Sequence, residues 1–167
     1  MVFGSAGDVS ESRGKGGGSE PPPAILTPRV AHENVETVRR VIEATNRRDA
    51  EAALSLIDPE IECDARGLDL PDLSGVYRGY EEVFGWWWRW FEAWREVQYE
   101  IEELIPAGED VVIGTRVHCT GRDGIEVDLY FVNLMTLRDG KLVRNRLYRD
   151  MSAALEAIGV SEGADSG

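Results

Sequence analysis

Asp64, in the stretch IECDARG, is a residue whose type and position suit acid–base chemistry. A carboxylate that aromatic and aliphatic neighbours remove from water has a raised pKa and can take a proton near neutral pH. Strand alternation points Asp64 away from Ile61 and Cys63, which fits either a pocket or plain exposure. Two interpretations follow: Asp64 is a general base in a dry cavity, or it is a solvated carboxylate at a strand end.

His118 and Asn145 complete the predicted catalytic set of Asp64, His118 and Asn145. The imidazole suits proton transfer because its pKa lies near neutrality. The alternative for His118 is a position on a sheet face, beside Arg and Tyr side chains. Asn145 could orient the carbonyl or hydroxyl of a ligand, or it could bond to a neighbouring side chain or water.

No metal and no cofactor are predicted. His32 and His118 are the only histidines, and no cluster of carboxylates accompanies them. Cys63 and Cys119 match no metal or redox spacing, so they are expected to be buried free thiols, which fits a reducing cytoplasm.

All five tryptophans lie in the stretch GWWWRWFEAW, from Gly85 to Trp94. On a helical wheel the apolar residues occupy an arc of about 160°, wider than a simple packing stripe needs. Trp87, Trp90 and Trp94 lie near its centre and are predicted to line a pocket, although aromatic residues at this spacing also suit a plain core. Trp88 lies beyond the edge of the arc, which predicts a pocket mouth or a subunit contact.

The elements that would position these residues are readable from periodicity, caps and turns. Helices are predicted from Pro28 to Arg48, over residues 50–57 after an Asp49 cap, and from Tyr80 to Val97. Strands are predicted over residues 60–65, 97–105, 110–120, 125–137 and 141–149. Asp150 should cap a last helix, and Asp139-Gly140 is a strong hairpin signal. Together they predict an α+β cone, in which a curved antiparallel sheet wraps three N-terminal helices and encloses a cavity.

The hairpin at Asp139-Gly140 predicts which strand residues face that cavity. A two-residue loop opposes Leu134 to Asn145, Val132 to Leu147 and Tyr130 to Arg149. This apolar side is predicted to be concave, so the expected pocket residues are Trp87, Trp90, Trp94, Thr115, Tyr130, Leu134, Leu147 and Arg149. Arg149, at the rim, could meet an anionic group or form a salt bridge. A one-residue slip or a bulge would reverse the assignment.

Composition excludes several classes of partner. Eighteen Lys and Arg face 31 Asp and Glu, a formal net charge of −13, which argues against nucleic acid and against anionic membranes. No apolar run is long enough to span a bilayer. Residues 1–26 are rich in Gly, Ser and Pro and are predicted to be a disordered tail, followed by a domain over 27–160 and a second tail over 161–167.

Two stretches, VRRVIEATNRRDAEAALSLIDPEIECDA and FVNLMTLRDGKLVRNRLYRDMSAALEAIGV, resemble the opening helices and closing hairpin of a known superfamily. It is the nuclear transport factor 2-like superfamily, in its SnoaL-like and ketosteroid-isomerase-like branch, and the resemblance covers roughly Val30 to Val160. Asp64 matches the proton-abstracting Asp of ketosteroid isomerases, whereas Val41 stands where those enzymes place an oxyanion-binding Tyr. Leu147 stands where limonene epoxide hydrolases and many SnoaL-like cyclases have a catalytic Asp.

The resemblance implies a cytoplasmic protein that binds a small apolar or polycyclic molecule and forms a homodimer through its sheet face. One hypothesis is a cofactor-free isomerase, cyclase or hydrolase that uses acid–base catalysis. The other is a non-catalytic module of the same fold, for ligand binding or dimerisation.

Overall fold

The computed structural model describes residues 28–159. The predicted tails over 1–26 and 161–167, and the ends of the predicted domain at 27 and 160, lie outside these described residues. None of the helices in the described part is long and apolar enough to cross a membrane.

The described elements alternate from helices to a sheet that runs through the second half of the chain. The helices are α1 (Pro28–Arg47), α2 (Ala50–Leu54), α3 (Gly79–Glu92) and α4 (Met151–Ala157). The strands are β1 (Ile57–Gly67), β2 (Val76–Arg78), β3 (Glu96–Ala107), β4 (Asp110–Thr120), β5 (Glu126–Arg138) and β6 (Lys141–Tyr148). The α+β class with a curved sheet around helices is confirmed.

Caps set the helix boundaries as the sequence predicts. Asp49 accepts a hydrogen bond from the backbone N–H of Ala52, and Asp150 accepts one from Ala153, so each carboxylate satisfies a free donor of the first turn. The tryptophan helix α3 ends at Glu92 rather than at Val97. Beyond it, the Arg95 N–H bonds to the Thr120 carbonyl and residues from Glu96 onward pair with β4, so sheet pairing takes over from helical spacing.

The six strands form one sheet in the order β2-β1-β6-β5-β4-β3. All neighbours are antiparallel except β1 and β6, which are parallel. The β2 strand was missed in the sequence, because its three residues lie in a stretch of Gly, Pro and Asp that reads as loop.

The predicted register of the β5–β6 hairpin is wrong beyond its first two pairs. Asp139 and Gly140 have φ of 53° and 77°, as a two-residue turn requires, and Leu137 opposes Leu142. Val143 is then an extra residue, and Met135 opposes Asn145 while Asn133 opposes Leu147. A bulge of this kind reverses the facing of one strand relative to the other.

The bulge decides which residues face the helices. On the concave side, facing α1 and α3, are the odd-numbered residues Thr115, Phe131, Asn133, Asn145 and Leu147. The opposite side is called the convex face here, and it carries the even-numbered residues of β4, β5 and β6, among them Arg116, His118, Tyr130, Arg146 and Tyr148. Helix α4 packs on this convex face and buries Val112, Val132 and Leu134 beneath Ala154.

Candidate functional site

A cavity of about 70 Å³ lies between α1, α3 and the concave side of the sheet. This volume exceeds several-fold the roughly 10–15 Å³ that one water needs on the same measure. Most of its lining is apolar, and the lining residues are Val41, Ile42, Thr45, Ile57, Ile61, Cys63, Leu68, Leu73, Val83, Trp86, Trp87, Trp90, Tyr99, Thr115, Phe131, Asn133, Met135, Leu142, Asn145 and Leu147.

Three polar side chains cross the concave sheet on adjacent strands, and we call Thr115, Asn133 and Asn145 the polar stripe. The amide Nδ2 of Asn133 donates to Oδ1 of Asn145 at 3.1 Å. In this orientation Asn145 Nδ2 and Asn133 Oδ1 are left for a ligand. Thr115 is 1% exposed, and its hydroxyl has no hydrogen-bond partner. The stripe therefore offers both donors and an acceptor inside an apolar enclosure.

Trp90 and Tyr99 form a second polar point on the cavity wall. The indole Nε1 of Trp90 is buried without a hydrogen-bond partner. Burial raises the pKa of the Tyr99 hydroxyl, and a hydrogen-bonding interaction with the neighbouring Trp90 indole, too poorly aligned to count as a full hydrogen bond, opposes that shift. The backbone of Tyr99 is held to the end of α1 by Asn46, whose amide bonds both its N–H (2.7 Å) and its carbonyl (2.9 Å). Tyr99 is thus protonated at neutral pH and fixed in position.

Aromatic rings of α3 form one wall of the cavity. Trp86, Trp87 and Trp90 line it, and Trp90 meets Phe131 edge-on at 6.0 Å between ring centroids. Trp94 does not line it, because α3 ends before this residue and its ring packs on the far side of Trp90 at 5.7 Å. Trp88 is 59% exposed and bonds to Glu92, consistent with its position outside the apolar arc.

The loop of residues 68–75 closes the cavity beside α3. Leu68 and Leu73 line the cavity from this loop. The Trp86 indole donates to the Leu73 carbonyl at 2.9 Å, and the Tyr77 ring stacks on Trp86. Two aromatic side chains therefore hold the loop against the cavity.

Asp64 lies on the outer side of β1, not in the cavity. In the sheet it stands opposite Arg146 of β6. The Arg66 guanidinium bonds both its carboxylate oxygens, at 3.0 and 2.8 Å, and this hydrogen bonding lowers the pKa of Asp64 although partial burial opposes it. Of the two interpretations of Asp64, the general base in a dry cavity is therefore wrong, and the carboxylate outside the cavity fits, with Arg66 as its partner.

His118 lies on the convex face, on the same side as Arg146 and Tyr148, which is the sheet-face alternative that the sequence offers for it. Its Nε2 lies 3.1 Å from Glu100 and its Nδ1 lies 2.8 Å from Asp128. Hydrogen bonds to Glu100 and then Asp128 raise the pKa of His118. It is exposed and far from the concave side of the sheet, so the structure does not bring it together with Asn145.

Three predicted pocket residues also lie outside the cavity. Tyr130 and Leu134 point to the convex face because of the Val143 bulge, and Leu134 is buried there under α4. Tyr130 donates to Glu103 at 2.5 Å beneath the guanidinium of Arg116. Arg149 follows the end of β6 and is exposed. Of the predicted set, Asn145, Trp87, Trp90, Thr115 and Leu147 line the cavity.

No Asp, Glu, His, Lys or Arg lines the cavity among the described residues. The titratable side chains on its wall are Cys63 and Tyr99, and burial raises the pKa of the Cys63 thiol to about 12. Both groups hold their protons at neutral pH. Within residues 28–159, no group of three His, Cys, Asp or Glu side chains could hold a metal ion.

Sequence reasoning missed Asn133 and Tyr99. A hairpin register without a bulge puts Asn133 on the side opposite to Leu134 and Asn145, and the bulge at Val143 that brings it into the cavity carries no strong sequence signal. Tyr99 could have been found, because Val97, Tyr99 and Ile101 alternate with Gln98, Glu100 and Glu102 in β3. That period of two places Tyr99 on the apolar side of its strand.

Comparison with known proteins agrees with this geometry. A family model for the SnoaL-like domain matches residues 38–145. No curated protein sequence matches the chain. The crystal structure of a nuclear transport factor 2-like protein of unknown function from Burkholderia pseudomallei is 25% identical, with a TM-score of 0.63 over 78% of this chain and 98% of its own.

Two further crystal structures share the fold. TerC, co-crystallised with polyporic acid, is 26% identical, with a TM-score of 0.64 over 76% of this chain and 98% of its own. A candidate SnoaL-like polyketide cyclase from Jannaschia is 22% identical, with a TM-score of 0.64 over 81% of this chain and 96% of its own.

Proposed function

Because this chain belongs to the SnoaL-like domain family, we propose that it binds a small, uncharged and largely apolar molecule in the cavity beneath α3. The observation that carries the proposal is the cavity wall itself, which is apolar except for neutral hydrogen-bonding groups. A charged ligand would lose its hydration there without gaining an opposite charge, which disfavours it strongly.

The wall supports both affinity and orientation. Burial of apolar ligand surface against Trp87, Phe131 and Met135 contributes roughly 25 cal/mol per Å² removed from water. The polar stripe adds direction, since Asn145 Nδ2 and the Thr115 hydroxyl can bond an oxygen of the ligand. TerC, which is similar to this chain, was co-crystallised with polyporic acid, and this supports small-molecule binding by the shared fold.

Binding without acid–base catalysis fits the cavity better than the isomerase, cyclase or hydrolase hypothesis. That hypothesis needs a base within about 3 Å of the ligand proton. Asp64 and His118 lie on the other side of the sheet, and Cys63 and Tyr99 hold their protons at neutral pH.

The test is calorimetric titration with a panel of uncharged aromatic and terpenoid probes, using two matched variants. Asn145→Leu keeps the branched shape of the side chain and removes the Asn145 amide from the polar stripe, so it should weaken the best probe's binding about tenfold. Asp64→Asn should leave the affinity unchanged. Saturable turnover of any probe that Asp64→Asn abolishes would instead establish acid–base catalysis.

We also propose that the protein acts in the reducing cytoplasm. Support comes from Cys63 and Cys119, which are both free and buried. Burial also raises the pKa of the Cys119 thiol, in this case to about 11. Both thiols therefore keep their protons at neutral pH and are unreactive.

A further inference from the structure

Two hydrogen-bonding groups on the cavity wall are buried without a partner: the Thr115 hydroxyl and the Trp90 indole N–H. Buried polar groups in proteins are nearly always paired, so each such exception calls for an explanation. Thr115 is 1% exposed and Trp90 is 9% exposed, and the hydrogen-bonding atom of each is itself buried. Solvent outside the protein therefore does not satisfy them.

The two side chains adjoin the same residue of the cavity wall, Phe131. Thr115 of β4 stands directly opposite Phe131 of β5 in the antiparallel register. The Trp90 ring meets that same Phe131 edge-on at 6.0 Å. An atom beside Phe131 thus has Thr115 on the sheet side and Trp90 on the helix side.

Tyr99 does not remove this demand for an acceptor. The Trp90 indole and the Tyr99 hydroxyl are neighbours on the wall. Indole can only donate, whereas a phenol both donates and accepts. If the indole donates to the phenol oxygen, the phenol proton still needs an acceptor. If the indole does not donate to it, the indole proton needs one. One proton at this point therefore remains to be accepted, in addition to that of Thr115.

We propose that the ligand presents a carbonyl oxygen to Thr115 and to the Trp90–Tyr99 pair, an inference that rests on the proposed function. A carbonyl oxygen has two lone pairs and no proton, so it can accept from both donors at once. A carboxylate would bring a charge that no described cation on the wall offsets. A ligand hydroxyl would bring a proton of its own, which would have to reach Asn133 Oδ1 of the polar stripe while the hydroxyl oxygen accepts from the two donors. The site therefore selects an uncharged aldehyde, ketone or quinone oxygen.

Acetophenone and α-methylstyrene provide a matched test, because they differ only in replacement of the carbonyl oxygen by a CH₂ group. Binding to the full chain is measured by titration calorimetry, with 1-phenylethanol as the alcohol probe. Acetophenone should bind at least about tenfold more tightly than α-methylstyrene, since donors left unpaired reject the hydrocarbon. The alcohol should bind more weakly than the ketone.

Two conservative variants assign the preference to the named groups. Thr115→Val removes the hydroxyl at constant volume, and Tyr99→Phe removes the phenol oxygen. Each should reduce acetophenone affinity about three- to tenfold, and should leave α-methylstyrene affinity unchanged or raise it, because one unpaired donor is removed. Circular dichroism confirms that each variant is folded, and the hydrocarbon serves as the internal control for cavity shape.

The outcomes separate this inference from the proposed function. Equal or tighter binding of α-methylstyrene or 1-phenylethanol would overturn the carbonyl inference and leave apolar ligand binding intact. Equal losses for ketone and hydrocarbon in both variants would also overturn it. Failure of acetophenone, α-methylstyrene and the wider panel to bind would overturn the proposed function together with this inference.

Discussion

At the scale of single residues, His118 on the convex face has an environment that makes a definite pH prediction. Glu100 and Asp128 bracket its ring at 3.1 and 2.8 Å and raise its pKa above the ordinary value of 6.5. Its contribution to stability is therefore fully present below pH 6.5 and is lost as pH rises through the raised pKa of the folded state. The ring is exposed, so the size of this contribution is small.

The measurement is an NMR titration of the His118 ring protons in the native chain and in Glu100→Gln and Asp128→Asn. The native pKa should lie above 6.5, and each variant should lower it, with the larger effect from Glu100→Gln. A native pKa at or below 6.5 would contradict the arrangement of the three side chains.

At the scale of elements, Gly114 in β4 makes room for a side-chain pair on the convex face. A Cβ built at Gly114 would collide with the Tyr130 hydroxyl and lie 2.7 Å from Glu103 Oε1. Gly114→Ala must therefore displace the Tyr130–Glu103 hydrogen bond, at a loss of about 1 kcal/mol, while alanine gains about 0.5–1 kcal/mol over glycine in a strand, so we expect little net change in the free energy of unfolding.

Gly85 in α3 is the matched control, because a Cβ there meets nothing within 4 Å. Gly85→Ala should raise the free energy of unfolding by about 0.5–1 kcal/mol, since alanine loses less conformational freedom in a helix. Urea denaturation of both variants measures the two effects. A stabilisation by Gly114→Ala as large as that by Gly85→Ala would contradict the close packing of Tyr130 and Glu103 around β4.

The elements also show which features of the fold can be predicted from the sequence and which cannot. Local signals predicted the caps at Asp49 and Asp150 and the turn at Asp139-Gly140, because each depends on one residue and its own backbone. The single extra residue Val143 shifts β6 against β5 without a Gly or Pro to mark it. A register without this bulge puts Asn145 and Leu147 in the cavity, as the structure does. It also puts Tyr130 and Leu134 there, which is wrong, and it leaves Asn133 out.

At the scale of the whole molecule, the convex face divides by charge. The strands β1, β2 and β6 carry five basic residues against four acids, so this half is slightly basic: Arg66, Arg78, Lys141, Arg144 and Arg146 against Asp58, Glu60, Glu62 and Asp64. Near β3, β4 and β5 acids predominate: Glu100, Glu102, Glu103 and Asp128 against Arg116 and His118. In a homodimer with its twofold axis between the two halves, the more basic half of one copy would face the acidic half of the other. This charge complementarity supports the homodimer, which remains a prediction.

Light scattering after gel filtration tests that homodimer. The native chain should elute with the mass of a dimer, and Arg146→Glu should shift it toward the monomer, because it places an acid in the basic half. Asp64→Asn, a change of one charge in the favourable direction, should preserve the dimer. A native chain that stays monomeric at high concentration would contradict pairing through this face.

The tryptophans of α3 connect the whole fold to the ligand. Trp86, Trp87 and Trp90 lie on the cavity wall, whereas Trp88 lies in solvent and Trp94 lies behind Trp90. Helical periodicity separated Trp88 from the others, but it could not predict Trp94, because that residue follows the end of the helix. The indole N–H groups therefore report on three environments. Those of Trp86, Trp87 and Trp90 report on the cavity wall, that of Trp94 on the packing against Trp90, and that of Trp88 on solvent.

The most direct test of a ligand in this cavity is a ¹H–¹⁵N correlation spectrum of the chain titrated with acetophenone. Our account predicts shifts in the Trp90 indole signal and in the side-chain amides of Asn133 and Asn145, while the Trp88 indole signal stays in place. Shifts confined to the convex face around Asp64 and Arg146, or to Trp88, would contradict it.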